Sequence, residues 1–247
     1  PFMHTASLRT DQLSEQAYRL IRKAILRGDI EPGSRLKIDM LQRQFSFSSS
    51  PLREALNRLV SEDLVEIDNR RGFRAAAVSL RDMKDLTAFR LNIEPISLRE
   101  SIEHGDDEWE AQVLAAYHRL DLLEAREDEQ APYSDEWAER HRAFHAALIA
   151  ACPSSRQISV CLNLFDHVER YRRLSICWRK SKRDRSNEHR EIMDAALARD
   201  HERAVSKLTE HIERTTLHVA RMLKALETEK TATGQVQVEG LGRAMKA

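Results

Sequence analysis

Ser48-Ser49-Ser50-Pro51-Leu52-Arg53-Glu54-Ala55-Leu56-Asn57-Arg58-Leu59-Val60 opens with three hydroxyl side chains and continues as an amphipathic helix. Ser50 suits an N-cap, and Pro51 suits the first helical position, where a missing N–H costs nothing. Leu52, Ala55, Leu56, Leu59 and Val60 fall on one face, with Arg53, Glu54 and Asn57 on the other. Upstream, Ala17, Leu20, Ile21, Ala24 and Ile25 repeat at helical spacing until Gly28. Glu31-Pro32-Gly33 turns the chain, and a short helix follows over Ile38–Gln44 with Leu41 inward. Downstream, Leu64–Ile67 and Phe73–Ala77 read as strands around the basic turn Asp68-Asn69-Arg70-Arg71-Gly72.

Helix, helix, capped helix and basic hairpin is the order of a winged helix-turn-helix, here spanning 8–78. A helix entering the major groove reads bases with its first turn, so short hydroxyls and an arginine belong there. Ser48, Ser49, Ser50, Arg53 and Asn57 are the candidate contacts. Arg70, Arg71 and Gly72 form a wing tip able to reach phosphates or the minor groove. The plainer alternative is that the serines only cap a helix and the arginines are solvated.

The chain has 247 residues with 40 basic and 40 acidic side chains, so overall charge gives no hint of nucleic acid. Through Val78 there are 13 basic and 10 acidic residues, leaving 27 and 30 for the rest. That asymmetry permits DNA binding without demanding it. No apolar run approaches a membrane span and no signal peptide is visible, so the expectation is no membrane partner. Cys152, Cys161 and Cys177 form no CxxC pair. Reduced, idle thiols in a cytoplasmic protein fit that pattern.

Beyond Ser79 the pattern is helical throughout. Six helices are expected over Leu80–His104, Asp106–Glu129, Ser134–Ala151, Ser155–Trp178, Asn187–Arg199 and His201–Glu229. They make an all-α antiparallel bundle over 79–229, followed by a loose tail over 230–247 and preceded by dispensable residues before Leu8. The fold class is therefore mainly α: an N-terminal winged helix-turn-helix plus a bundle of about six helices. Within the bundle, His141 and His145 stand at i, i+4 and project from one helix face. His189 lies eleven residues before Asp200 and His211 eleven after it. Asp200 is a plausible cap between two antiparallel helices, so these two rings stand at equal height. Should the His141 helix pack beside that pair, four imidazoles converge as a metal site requires. The other histidines have no such geometry and read as structural.

Two stretches of the first half resemble the GntR family of bacterial transcription regulators. They are Ile25-Leu26-Arg27-Gly28-Asp29-Ile30-Glu31-Pro32-Gly33-Ser34-Arg35-Leu36 and Ser50-Pro51-Leu52-Arg53-Glu54-Ala55-Leu56-Asn57-Arg58-Leu59. Leu64-Val65 and Arg71-Gly72-Phe73 match the wing. The resemblance implies that Arg35, Ser48, Ser50, Arg53 and the wing tip meet DNA. Ser49 occupies a position that is usually Arg in the family, which implies an altered or weaker operator.

Arg90-Leu91-Asn92-Ile93-Glu94, Phe144-His145 and His189…Asp200…His211 resemble the C-terminal ligand-binding (FCD) domain of the FadR-type branch, in its shorter VanR-like form. That resemblance implies a divalent metal held by an Asp and three histidines, with a small carboxylate effector. Here His141 stands in the Asp position. Four neutral imidazoles leave the site at +2 instead of +1, which favours an anionic effector and zinc, nickel or cobalt over harder ions. Arg90 and Glu94 form either a plain helix salt bridge or a cavity-facing pair in which Arg90 grips the effector.

The expected protein is a homodimeric repressor on an inverted-repeat operator, because one recognition helix reads only a half-site. Two rivals remain at this stage. One is a metal-dependent hydrolase on the bundle, for which Glu188 is a poor base because helix neighbours point about 100° apart. The other is a regulator whose metal is purely structural.

Overall fold

The computed structural model describes residues 2–68, 72–125, 134–176 and 186–233. The chain divides between Ser79 and Leu80 into two compact units.

The first unit contains α1 (Phe2–Arg27), β1 (Arg35–Leu36), α2 (Ile38–Phe45), α3 (Ser49–Ser61), β2 (Val65–Asp68) and β3 (Gly72–Ala75). Its core joins Ile21 and Ile25 of α1 to Leu52, Leu56 and Leu59 of α3, with Leu64 beneath the sheet. The strands lie antiparallel in the order β1-β3-β2, with Arg35 opposite Arg74 and Ile67 opposite Phe73. This is the expected winged arrangement, with three differences. β1 completes a third strand, because Ala75 and Ser34 exchange a backbone hydrogen bond of 2.9 Å just beyond the Arg35–Arg74 pair. Two residues are too short to show strand periodicity in a sequence. The helix α1 reaches back to Phe2, through the residues expected to be dispensable. Ser50 is not the N-cap of α3: Ser48 takes that place in extended conformation, and Pro51 is the third helical residue. Proline is still tolerated there, because the first four N–H groups of a helix have no internal partner. Ser50 Oγ instead donates to Glu54 Oε1 at 3.2 Å.

The second unit contains α4 (Leu80–His104), α5 (Asp107–Glu124), α6 (Asp135–Leu148), α7 (Ser155–Ile176), α8 (Ser186–Leu197) and α9 (His201–Thr233). Side-chain caps fix four of the starts, and at α7 Ser154 Oγ accepts from Gln157 N at 3.2 Å. Asp106 accepts from Trp109 N at 2.9 Å, Ser134 from Trp137 N at 3.0 Å and Asp200 from Arg203 N at 3.1 Å. Acidic residues in the first turns of α5 and α6 add favourable dipole interactions. Between α8 and α9, Arg199 adopts a left-handed φ of 57°, and its guanidinium donates to Gly105 O at 2.9 Å. Leu98, Val113, Leu120, Phe144, Ile192 and Ile212 form a core drawn from five helices. The six expected helices are all present. α5 is shorter than expected, ending at Glu124, and α9 runs on to Thr233, into the stretch expected to be loose. The rest of the expected tail and the turn residues Asn69, Arg70 and Arg71 lie outside the described residues. Among the described residues no helix is long and apolar enough to cross a membrane.

Candidate functional site

α6 presents His141 and His145 on one face, and the α8–α9 hairpin presents His189 and His211. All four side chains are buried, and one ligating atom from each lies within 4.8 Å of every other. His141 Nε2 and His145 Nε2 stand 3.2 Å apart. Tetrahedral zinc with Zn–N bonds of ~2.05 Å separates its nitrogens by ~3.3 Å, so the first pair is already at bonding separation and the widest must close by roughly 1.5 Å. The rings of His189 and His211 are 4.9 Å apart, as hairpin symmetry anticipates.

Two carboxylates hold the hairpin rings from behind. His211 Nδ1 lies 2.9 Å from Glu188 Oε2, and His189 Nδ1 lies 3.3 Å from Glu124 Oε2. A proton on each Nδ1 leaves Nε2 as the lone-pair nitrogen, the tautomer a metal ligand needs. His189 Nε2 is buried and has no hydrogen-bond partner among the described residues. A buried acceptor left unpaired is costly, and a cation at the shared centre would satisfy it. The donor set therefore fits a divalent metal.

Electrostatics point the same way. Burial, then neighbouring His145 and His189, pushes the His141 pKa well below the ordinary imidazole value. Burial and His211 do the same for His145. Burial lowers His211 to about 4 against the opposing pull of Glu188. These three rings are neutral at physiological pH and need lose no proton to bind a metal.

A cavity of about 20 Å³ lies against His141 and His211 and is also lined by Arg90, Trp137, Glu169 and Arg172. That is room for about one water. Arg90 is buried and makes a two-pronged ion pair with Glu94, its Nη2 lying 3.1 Å from Oε2. The Arg90–Glu94 pair is a helix salt bridge whose guanidinium lines the cavity. Arg172, also buried, is paired with Glu169, with Nε–Oε2 at 2.6 Å. Its guanidinium lies 4.2 Å above the Trp137 ring, and Trp137 stacks on His141 at 4.3 Å and 27°. Trp137 thus contacts both the Arg172 guanidinium and the His141 imidazole.

Several of these residues escaped sequence reasoning. Glu124 is 65 positions from the histidine it holds, and nothing in the chain links them. Glu188 was set aside as a base, yet it serves the opposite helix. Trp137 sits four residues before His141, a spacing that does signal a shared face. His218, expected to be structural, lines the cavity two helical turns beyond His211 on the same face.

In the first unit, Ser48, Ser49, Ser50, Arg53 and Asn57 are exposed at the start and along the outer face of α3, and Arg35 is exposed on β1. Gly72 is exposed at the start of β3 with φ +90°, a conformation that strains any residue with a Cβ. Arg58 turns the other way, onto Glu15 at 2.6 Å and over Tyr18 at 3.8 Å. Arg70 and Arg71 fall outside the described residues.

Comparisons with known proteins bear on the family and the fold. Residues 13–74 match the family of bacterial regulatory proteins called gntR, and residues 85–214 match the FCD domain. The transcriptional regulator BphR of Paraburkholderia xenovorans (strain LB400) is 40% identical over 202 residues, 81% of this chain and 82% of the relative. The transcriptional repressor GlaR of Escherichia coli (strain K12) is 36% identical over 203 residues, 81% of this chain and 92% of the relative. The structure of E. coli McbR/YncC superposes with a TM-score of 0.70 at 18% identity, covering 85% of this chain and 97% of that one. A regulator from Rhodococcus sp. RHA1 gives 0.67 at 21% identity, covering 83% and 96%. At those identities the two structures support the fold alone.

Proposed function

Because the chain belongs to the GntR family of transcription regulators, in the branch that carries an FCD domain, we propose that it is a repressor whose bundle holds zinc and a small organic acid. Its relatives are regulators and not enzymes, so the hydrolase alternative falls. The observation that carries the proposal is the convergence of His141, His145, His189 and His211 beside a cavity lined by two buried arginines.

The four imidazoles would hold the metal, with nickel or cobalt as alternative occupants. Bound there, it supplies a Lewis-acidic positive centre that attracts a carboxylate. Glu188 and Glu124 orient two of the rings. Arg90 and Arg172 offer planar forks to the incoming acid, which must compete with Glu94 and Glu169 for them. The DNA-facing set is Arg35, Ser48, Ser49, Ser50, Arg53 and Asn57 with the wing tip Arg70, Arg71 and Gly72. The repressor acts as a cytoplasmic homodimer on a two-fold operator of double-stranded DNA. Acid binding must favour the arrangement that grips DNA less well, since a ligand indifferent to the two states shifts nothing.

The test is thermal melting of the full chain with zinc and after chelation, each with and without small carboxylates, alongside operator release. A stabilising acid whose effect vanishes on chelation, and which frees DNA, supports the proposal. Zinc-dependent melting with no response to any acid means a purely structural metal.

A further inference from the structure

A second cavity lies beside the first. Its walls are Leu148, Ile149, Cys161, Leu162 and Leu208, with Glu94 and His145 as the polar members. Phe165 lines both cavities. The Arg90–Glu94 pair spans them, the guanidinium in one and the carboxylate in the other. The histidine centre is likewise shared: His141 and His211 face the first, His145 the second.

The two compartments differ in charge. The first carries two buried arginines, Arg90 and Arg172, against one carboxylate, Glu169. The second has no Lys or Arg among its described lining residues, and the Glu94 carboxylate is its one anionic group. Its remaining polar groups are already occupied. Glu94 is engaged by Arg90, His145 Nε2 meets His141 Nε2, and the Cys161 thiol contacts Ser97 at 3.4 Å. A second carboxylate placed there would meet apolar walls and Glu94, whose cation, Arg90, is already shared with the first cavity. A hydrocarbon segment would meet leucines, isoleucine and the Phe165 ring.

From this we infer that the effector is an amphipathic monocarboxylic acid, its carboxylate in the arginine cavity and its apolar body in the Leu148–Leu162–Leu208 cavity, with Phe165 displaced to join the two. The inference rests on the carboxylate-binding reading above and narrows it. Each cavity is about 20 Å³, so the joined site suits a short body and opens only by side-chain movement.

The test is calorimetric titration of the zinc-loaded full chain with straight-chain acids from acetate to hexanoate, and with succinate, glutarate and adipate. Binding should strengthen about fourfold per added methylene, the equivalent of about 0.8 kcal/mol, until the second cavity is full. Each dicarboxylate should bind at least tenfold more weakly than the monoacid of equal carbon number. Leu162→Phe, at the partly buried edge of the second cavity, should flatten the chain-length trend. Acetate binding with no chain-length trend, or a dicarboxylate that binds more tightly than its monoacid, overturns the inference and leaves the carboxylate pocket standing. No binding by any acid to zinc-loaded protein overturns both. If the Leu162 variant fails to fold, the wild-type series decides alone.

Discussion

His211 shows how one buried side chain sets a pH response. Its pKa falls to about 4 in the folded protein, against about 6.5 when unfolded. Above pH 6.5 neither state carries the proton, so the group contributes nothing to stability there. As pH falls from 6.5 towards 4, the unfolded chain takes up a proton that the folded chain refuses, and stability is lost. For His211 alone the loss reaches about 3 kcal/mol at pH 4. His141 and His145 are shifted the same way and add to it. Metal-stripped protein should therefore melt progressively lower from pH 7 to pH 4, with the His211→Gln variant less pH-sensitive than wild type. Equal slopes for the two would remove His211 from the account. Trp137 makes a second residue-scale prediction. Its ring contacts both Arg172 and His141, so Trp137→Leu removes both contacts. Cobalt loaded in place of zinc should show an altered visible spectrum in that variant and weaker binding, with recovery in Trp137→Phe. A spectrum unchanged by Trp137→Leu means that the stack does not orient the ligand.

At the scale of elements, the α8–α9 hairpin does most to build the centre, and it was the part most legible in the chain. Asp200 as a cap, with histidines at equal distances on either side, anticipates a ring pair now seen at 4.9 Å. The i, i+4 spacing anticipates His141 beside His145. What could not be read is which helices stand behind the rings. Glu124 reaches His189 from α5, a contact that exists only once tertiary packing brings the two helices together. The start of α3 was misread by two residues for a local reason. Three consecutive serines can each begin a helix, and propensity does not choose among them. The carboxylates give an element-scale prediction: Glu188→Gln keeps the shape but weakens the hold on the His211 Nδ1 proton. Zinc affinity should fall about 10- to 100-fold with the fold intact by circular dichroism. On α3, Arg53→Ala should cost ~1–3 kcal/mol of operator binding and relax sequence preference at one position. Arg70→Ala on the wing should instead weaken all DNA alike and lower the salt slope by about 1. A uniform loss from Arg53→Ala would make it a phosphate contact and leave base reading to the serines.

For the whole molecule, the two units act as one regulator only if their ligands are thermodynamically coupled. One α3 can read one half-site, so the repressor should bind as two copies to half-sites centred about 10 base pairs apart, or a multiple of that. Suppose a bound acid weakens operator affinity 100-fold, a coupling of about 2.7 kcal/mol. Linkage then requires the operator to weaken acid binding by the same factor, whatever path joins the units. The tightest-binding acid should therefore be titrated into zinc-loaded protein with and without saturating operator, and the operator with and without saturating acid. Equal factors that collapse to one after zinc removal would place metal, acid and DNA in a single equilibrium. Equal factors that survive chelation would leave the acid coupled to DNA through the arginines alone, with the histidine centre reduced to a brace for α6, α8 and α9.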